Sequence, residues 1–252
     1  MSTAAVARIA RSLARRADRY SQASVLREAL AALALPGAVA VFDLDSTLLD
    51  NRPRQARILR EFGASVGDPR LATCEPDHWT GWDLESPMHA CGLSESEIAG
   101  LAADAKAFWR ERFFTSEYCR ADAPMPGASL FLQRVVTAGA VVCYVTGRHE
   151  PMAPGTLECL RRAGFPLPAD HGDLHLWMKP ALGVDDDQWK RSVTARLRDL
   201  GEVRVAFDNE PTHINGYRAE FPDCLAVHLD TDHSGRDVEI DEAIPSVRDF
   251  VL

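Results

Sequence analysis

Two aspartates stand at the end of an apolar stretch in the first fifth of the chain. The run Ala38–Phe42 is rich in alanine and valine, and Asp43 and Asp45 follow it. Such a run is typical of a strand buried on both faces, where a carboxylate reaches solvent only past the carboxyl end. In open α/β sheets that end lines the crevice in which ligands bind. The pattern predicts two carboxylates at the edge of a ligand site, although alone it would also fit an acidic turn.

Polar residues also end two later apolar runs. Thr146 closes the run 141–145, and Asp208 closes the run 203–207. The carboxyl ends of parallel strands lie on one edge of a sheet. We therefore expect these side chains to converge with the two aspartates at a single site.

A cationic partner is available from either of two lysines. Lys190 lies in the segment before the third apolar run, and Lys179 lies upstream of it. Two or three carboxylates, a hydroxyl and an ammonium group together suit a hard cation such as Mg²⁺ with a phosphate. The sequence thus predicts phosphoryl chemistry and leaves open which lysine is the principal one.

Helical patterns separate the apolar runs along most of the chain. Strands that alternate with helices at these distances predict βαβ units and a mostly parallel sheet. The expected fold class is therefore α/β, a Rossmann-like core of three α/β/α layers. Further strands are predicted at 175–179 and 224–229, and helices at 4–34, from Pro53 onward, and at 94–114, 128–138, 156–163 and 185–200.

One long stretch departs from this alternation. Residues 51–125 carry helical and irregular patterns but no run typical of a central strand. We predict that they form a largely helical subdomain, called here the helical insertion, within a core made of residues 36–50 and 126–252. Residues 1–35, rich in alanine, leucine and arginine, are predicted to form a helical extension.

The composition limits the classes of partner. The 28 basic and 37 acidic residues give a formal net charge of −9, which disfavours a dedicated surface for nucleic acid or acidic membranes. The six cysteines form no Cys-x-x-Cys pair, so packed thiols in a reducing, cytoplasmic compartment are expected. No apolar run is long enough to span a bilayer. The oligomeric state is not indicated.

The aspartates after the first apolar run, Thr146, the lysine and Asp208 resemble, in this order, the four motifs of the haloacid dehalogenase (HAD) superfamily of phosphotransferases. Its first motif matches residues 43–47, its second Thr146, its third a lysine and its fourth Asp208. The resemblance covers about residues 38–229 and implies a Rossmann-like core with a cap inserted after the first strand, the C1-type position. Members that cleave carbon–halogen bonds lack an acid at the position of Asp45, so the resemblance implies a phosphatase.

The resemblance also implies a role for each matched residue. Asp43 would be the nucleophile that forms an aspartyl-phosphate, and Asp45 would protonate the leaving group and then deprotonate water. Thr146 would donate a hydrogen bond to the phosphate, and Lys190 would stabilise its charge. The residues expected to hold Mg²⁺ are Asp43, the backbone carbonyl of Asp45, Asp208 and Asn209.

A narrower likeness concerns the second half of the core. Thr146-Gly147-Arg148, Lys179 and Lys190 follow the order seen in the phosphatase domains of polynucleotide kinase-phosphatases and in related acid phosphatases. An arginine at 148 could grip a phosphate with two donors. No P-loop motif accompanies these residues. The residues expected to bind phosphate besides the catalytic ones are Ser46, Thr47, Gly147, Arg148 and Lys179.

Several functions remain open. The main prediction is Mg²⁺-dependent hydrolysis of a small phosphomonoester, and the alternatives are a nucleic-acid 3′-end phosphatase or nucleotidase, transfer to another acceptor, and a non-catalytic phospholigand-binding protein. The binding protein is favoured only by the fourth motif, where Asn209 and Glu210 replace the usual second acid. One charge fewer is expected to weaken Mg²⁺ binding without abolishing it.

Two further groups of residues fit a purely structural role as well as a functional one. Trp79, Trp82 and Trp109 fit the lining of a substrate pocket or the packing of the helical insertion equally well. Four histidines lie near aspartates without the tight spacing of metal ligands, so no second metal site is expected. They are His171, His175, His228 and His233.

Overall fold

A computed structural model describes residues 15–79 and 81–252. Eight strands lie within them: β1 Ala38–Phe42, β2 Leu49–Asp50, β3 Ala123–Pro124, β4 Val141–His149, β5 Leu174–Lys179, β6 Glu202–Asp208, β7 Leu225–Leu229 and β8 Ser246–Val247. Six of them form one sheet in the order β5-β4-β1-β6-β7-β8, and every neighbouring pair in it is parallel. β2 and β3 pair antiparallel with each other.

The α-helices follow the strands in the alternation that the sequence predicts. They are α1 Gln22–Leu33, α2 Arg52–Val66, α3 Glu85–Ala90, α4 Glu95–Phe113, α5 Ala128–Thr137, α6 Ala153–Arg162, α7 Asp186–Ser192, α8 Thr194–Leu200 and α9 Pro211–Glu220. Among the described residues, no helix is both long enough and apolar enough to cross a bilayer.

Strand β1 lies in the interior of the sheet, and its side chains alternate between two apolar clusters. Phe42 and the alanines of β1 pack with α1 and α5, whereas Val39 and Val41 pack with α8 and α9. Successive residues of a strand point to opposite faces, so one strand contributes to both clusters. The sheet is therefore the middle of three layers. The predicted α/β fold class, with its parallel sheet between helices, is confirmed.

Several predicted elements have the expected local cause. Ser94 accepts a hydrogen bond from the backbone N–H of Glu97, whose carboxylate accepts one from the N–H of Ser94, so the capping box that begins α4 is present. The helix predicted at 185–200 begins at the Asp185 cap but is divided into α7 and α8 at Val193. All six cysteines are buried and unpaired, as predicted.

Other elements differ from the prediction. Strand β4 continues through Gly147 and Arg148 to His149 instead of turning after Thr146, and its pairing with β5 shifts register between Val145 and His149. The extension is tolerated because the guanidinium of Arg148 finds buried carboxylates, described below. Helix α9 and strand β8 were not predicted, because their sequences carry weak apolar periodicity and very few residues, respectively.

The amino-terminal helical pattern is only partly within the described residues. Positions 4–14 of the predicted helix lie outside them. From Gln22 to Leu33 the chain is helical, and Leu26, Ala29 and Leu33 have no exposed surface. Helix α1 therefore supplies one face of the main apolar cluster.

The helical insertion leaves the core after β2 and returns at β3. Leu49 pairs with Pro124 and Asp50 with Ala123, so the two connecting segments lie side by side. Helices α2, α3 and α4 lie between them and have an apolar cluster of their own, which includes Trp79. The insertion thus has its own hydrophobic packing and is joined to the core by a short two-stranded ribbon.

A glycine permits the close approach of the insertion's last segment to α6. A Cβ at Gly155 would overlap the carbonyl oxygen of Ser116 and approach Cys119, so we expect Gly155→Ala to lower the free energy of unfolding by about 1–3 kcal/mol or more. A Cβ at Gly100, inside α4, would meet nothing within 4 Å, and Gly100→Ala is expected to stabilise by about 0.5–1 kcal/mol. Urea denaturation of the two variants would reveal these opposite signs; equal effects would contradict this packing.

Candidate active site

Two carboxylates and one ammonium group meet at the carboxyl ends of β1 and β6. Asp43 follows β1, Asp208 ends β6, and the N–H of Asp43 donates to the carbonyl of Phe207 at 3.0 Å, which keeps the two strand ends in register. The Nζ of Lys190, on α7, lies 2.7 Å from Oδ1 of Asp43 and 2.6 Å from Oδ2 of Asp208. All three side chains are almost completely buried.

The charges of this trio are not balanced. Burial raises the pKa of Asp43 to about 7, although the charge of Lys190 opposes the shift, and the negative charge of Asp208 adds to it. The pKa of Asp208 is lowered despite its burial, because Lys190 and His213 favour its charged form. The single ammonium group of Lys190 is therefore paired with two buried carboxylates. Additional positive charge would hold Asp43 ionised.

The oxygen atoms near Asp43 fit a hard divalent cation. In the described part of the chain no hydrogen bond reaches Oδ2 of Asp43, so this oxygen is free to act as a ligand. The Oδ1 of Asn209 accepts from Thr47 at 3.2 Å and keeps a second lone pair, and Asn209 lines the same cavity as Asp43 and Asp208. Carboxylate, amide and carbonyl oxygens are the ligands that Mg²⁺ takes in proteins. The predicted metal residues thus lie around one cavity.

Asp45 is held by two arginines. Its Oδ1 lies 2.5 Å from Arg54, and its Oδ2 accepts from Nε of Arg148 at 2.8 Å. Burial would raise the pKa of Asp45, but the guanidinium groups of Arg148 and Arg54 together lower it well below its ordinary value. Asp45 is therefore an ionised carboxylate with both oxygens engaged.

Asp122 completes a largely buried group of four charges, called here the charged quartet: Asp45, Arg54, Asp122 and Arg148. Nη2 of Arg148 lies 2.5 Å from Oδ2 of Asp122, and Nε of Arg54 lies 3.0 Å from its Oδ1. Burial raises the pKa of Asp122 to about 6, although both arginines oppose the shift. Arg54 comes from α2 in the helical insertion, whereas Arg148 comes from β4 in the core. The quartet thus joins the insertion to the core.

The guanidinium of Arg148 is already occupied. It donates to Asp45 through Nε and Nη2, to Asp122 through Nη2 and to Thr156 through Nη1. Contact of this side chain with a phosphate, expected from the sequence, stays a prediction. The structure instead brings Arg148 to the acid that follows the first strand.

The two lysines that the sequence leaves as alternatives have separate surroundings. Lys190 reaches Asp43 and Asp208, as described above. The Nζ of Lys179 lies 2.5 Å from Asp186 and donates to the carbonyl of Val184 at 2.8 Å. Lys190 is thus the lysine that contacts Asp43 and Asp208.

Of the remaining predicted phosphate residues, Ser46, Thr47 and Thr146 do not line the cavity that contains Asp43. Thr146 is fully buried, and its hydroxyl accepts the N–H of Arg148 at 3.1 Å. Gly147 lines the cavity, and a Cβ there would lie 3.0 Å from the carboxylate of Asp186. Ser46 has a positive φ of 58°, which is uncommon for a residue with a side chain. This conformation turns the chain after Asp45, so that the hydroxyl of Thr47 reaches Asn209.

A cavity of about 240 Å³ lies over Asp43, Asp45 and Lys190, all of which contribute to its lining. Trp82 and Phe113, both from the helical insertion, line it as well. Their rings meet edge to face at 5.5 Å. The cavity therefore combines a charged group from the core with aromatic surface from the insertion.

The three tryptophans divide between the two alternatives. Trp82 lines the cavity. Trp79 is buried in the apolar cluster of the insertion, and Trp109 stacks on Phe113 with ring centroids 4.4 Å apart. One tryptophan thus lines the cavity, and the other two pack within the helical insertion.

Sequence reasoning missed a second group of residues beside Asp208. Nε2 of His213 lies 2.8 Å from Asp187, and Nδ1 lies 3.6 Å from Asp208. Glu210 accepts from Ser234 at 2.8 Å and pairs with Arg236 at 3.0 Å. Only Glu210 stood near a motif. His213 lies on the unpredicted helix α9, Ser234 and Arg236 lie in the segment after β7, and Asp187 lies on α7; no spacing in the sequence pointed to them.

Comparison with known proteins found similar solved structures but no matching sequence family. No family model and no curated protein sequence matches the chain. The structure of protein tyrosine kinase A from Mycobacterium tuberculosis is 20% identical, with a TM-score of 0.54 over 83% of this chain and 92% of that one. CbbY from Rhodobacter sphaeroides, in complex with phosphate, is 19% identical, with a TM-score of 0.50 over 86% and 95%.

A variant of CbbY in complex with xylulose-(1,5)-bisphosphate is similar to the same degree. It is 18% identical, with a TM-score of 0.50 over 86% of this chain and 95% of that one. Likeness at such identity concerns the fold. The chain therefore shares its α/β fold with protein tyrosine kinase A and with CbbY.

The charged quartet should contribute far more to stability than a surface ion pair on the same helix. Arg54→Leu leaves Asp122 and Asp45 with one arginine, and we expect the free energy of unfolding to fall by about 3–5 kcal/mol. Arg57→Leu removes partly exposed pairs with Glu61 and Glu117, and a loss of about 1 kcal/mol or less is expected. Urea denaturation would measure both; similar losses would show that the quartet does not carry this energy.

Proposed function

We propose that this protein is a Mg²⁺-dependent phosphomonoester hydrolase that acts through Asp43. The observation that carries the proposal is the contact of Lys190 with both Asp43 and Asp208 beside a cavity. This arrangement provides a carboxylate nucleophile, a fixed positive charge for a phosphoryl group, and a second carboxylate for a metal ion. A cytoplasmic location belongs to the same proposal and is supported by the six unpaired thiols.

The proposed metal ligands are Asp43, Asp208, Asn209 and the backbone carbonyl of Asp45. A bound Mg²⁺ would neutralise the repulsion between the phosphate and a carboxylate nucleophile. Lys190 would orient Asp43 and hold a phosphate oxygen. Burial of the whole group increases the strength of these interactions, because water screens them less.

The chemistry would proceed in two displacements at phosphorus. An oxygen of Asp43 would form a bond to phosphorus while the bond to the leaving alkoxide breaks. Water would then attack the same phosphorus, which releases Asp43 and inorganic phosphate. Asp45 is the proposed group that gives a proton to the leaving oxygen and takes one from water.

The charged quartet sets a condition on this role of Asp45. Arg54 and Arg148 donate hydrogen bonds to its two oxygens, which opposes the protonation that a general acid requires. Arg54 belongs to the helical insertion, and a movement of the insertion would remove its contact with Asp45 while Arg148 stays bound. We therefore propose that residues 51–125 form a cap whose movement both admits substrate and releases Asp45 from Arg54.

A small substrate fits the size and lining of the cavity best. Its volume of about 240 Å³ is below the range of about 300–1,000 Å³ typical of drug-sized ligands. Trp82 and Phe113 provide a surface for an apolar or planar part of the leaving group. The complexes of CbbY with phosphate and with a sugar bisphosphate support a small phosphorylated substrate.

Phosphoryl transfer to an acceptor other than water is a second candidate. One of the similar structures is named a protein tyrosine kinase, and a fold does not determine the reaction that it hosts. An aspartyl-phosphate at Asp43 could be transferred to a hydroxyl group as well as to water. A non-catalytic phospholigand-binding protein is a third candidate.

The mechanism can be tested with a generic aryl phosphate and Mg²⁺. We expect turnover that is lost with EDTA and restored by Mg²⁺, and a fall in kcat of at least ~1,000-fold in Asp43→Asn, because the nucleophile is removed. Asp199→Asn, an exposed position on α8, is the control and should retain full activity. Activity that survives in Asp43→Asn or in EDTA would overturn the mechanism.

The substrate class can be tested with a panel of sugar phosphates, nucleotides and 3′-phosphorylated oligonucleotides. We expect the small phosphomonoesters to have the highest kcat/KM. Trp82→Ala should raise KM for aryl substrates about tenfold and change KM for a small alkyl phosphate little, because only the aryl group buries surface on the indole. A preference for the oligonucleotide would favour the 3′-end phosphatase, and phosphate binding without turnover would favour a binding protein.

A further inference from the structure

A group of two thiols and one imidazole lies in the helical insertion. Cys74 follows the 3₁₀ helix Pro69–Thr73, His78 ends the 3₁₀ helix Pro76–His78, and Cys91 follows α3. None of the three lines the active-site cavity. They come from three separate short elements, so their proximity is produced by the tertiary fold of the insertion.

The spacing of the three ligand atoms approaches that of a metal site. All of them lie within 4.8 Å of one another, and Sγ of Cys91 lies 3.9 Å from Nδ1 of His78. A tetrahedral Zn²⁺, with sulfur at about 2.3 Å and nitrogen at about 2.0 Å, separates its ligands by about 3.5–3.8 Å. Rotation of the side chains by a small amount would therefore suffice to bind the ion.

The imidazole is in a suitable tautomer. Nδ1 of His78 accepts the backbone N–H of Glu75 at 3.3 Å, so this nitrogen carries a lone pair and the proton is on Nε2. The same nitrogen faces the sulfur of Cys91. A metal ligand requires the lone pair of a neutral imidazole, and Zn²⁺ at Nδ1 would take the place of the long contact with the N–H of Glu75.

A buried donor stands beside the sulfur of Cys74. The indole Nε1 of Trp79 is buried, and within the described ranges it has no hydrogen-bond partner. Trp79 and Cys74 pack in the same apolar cluster of the insertion, which brings the indole close to the Cys74 sulfur. An uncompensated N–H is costly, whereas a metal-bound thiolate would accept it strongly.

We propose that Cys74, His78 and Cys91 bind one Zn²⁺ ion. Two sulfurs and one nitrogen are the ligand set of a borderline-soft ion, in contrast to the oxygen ligands around Asp43. Binding releases one proton from each thiol. His78 is partly exposed, so water can take the fourth position of the ion.

The ion would stabilise the part of the insertion that reaches the cavity. Trp82 lies in the segment between His78 and Cys91, and it lines the active-site cavity. A bond from the metal to each end of this segment would restrict its motion and thereby fix the indole of Trp82. The proposal does not depend on the phosphatase activity, because metal binding can be measured directly.

The test is titration of the reduced, metal-free protein with Zn²⁺ and, in parallel, with Co²⁺. We expect one Zn²⁺ per chain retained through gel filtration in addition to any bound near Asp43, and thiolate-to-cobalt charge-transfer absorption that oxygen ligands cannot produce. Cys91→Ala and His78→Gln should weaken binding at least ~100-fold, and Trp79→Phe about tenfold. Asp208→Asn removes a ligand from the oxygen site and should leave the charge-transfer band unchanged.

Cys224→Ala is the matched control, since Cys224 is also buried but lies outside the insertion. It should bind Zn²⁺ as the unaltered chain does. His78→Gln changes a partly exposed side chain, so its fold can be checked by circular dichroism before titration. Absence of the charge-transfer band, or Zn²⁺ binding by Cys91→Ala equal to that of the unaltered chain, would overturn the proposal.

Discussion

The position of the helical insertion depends on the charged quartet. Removal of water from two carboxylates and two guanidinium groups costs several kcal/mol per ion, and only near-complete mutual pairing offsets this cost. Each member therefore requires the others in place: Asp45 after β1, Arg148 on β4, Arg54 on α2 and Asp122 before β3. The same contacts bring the aromatic surface of the insertion over Asp43. The geometry of the candidate site and the attachment of the insertion thus share one set of ion pairs.

The parallel sheet explains why much of the site could be predicted from the sequence. A buried strand in such a sheet is a nearly continuous apolar run, and the first polar residue after it marks the functional edge. Asp43 and Asp208 follow from this rule alone, and the structure brings them to opposite sides of one ammonium group. The choice between Lys190 and Lys179 required the structure, because the sequence determines neither the rotation of α7, which carries Lys190, nor the surroundings of the end of β5, which carries Lys179.

Arg54 and Asp122 could not be predicted, for a related reason. Each lies in a polar stretch in which a charged residue is normally exposed, and no periodicity distinguishes a buried arginine from a solvated one. Their partner Asp45 is distant in sequence from Asp122 and Arg148, so the compensation exists only in the folded chain. The group formed by Cys74, His78 and Cys91 escaped notice in the same way, because its members occupy irregular segments where the spacing along the chain does not determine distance.

The ribbon of β2 and β3 has an architectural consequence. Because Asp50 pairs with Ala123, the points at which the chain leaves and rejoins the sheet are neighbours, and the order of the six strands is independent of what lies between them. Insertions are tolerated where the two ends of the added segment are close together. The chain is therefore built as a fixed platform with an exchangeable module. Evolution or protein design could replace the helical insertion and thereby change which molecules enter the cavity, while the six-stranded sheet retains its strand order.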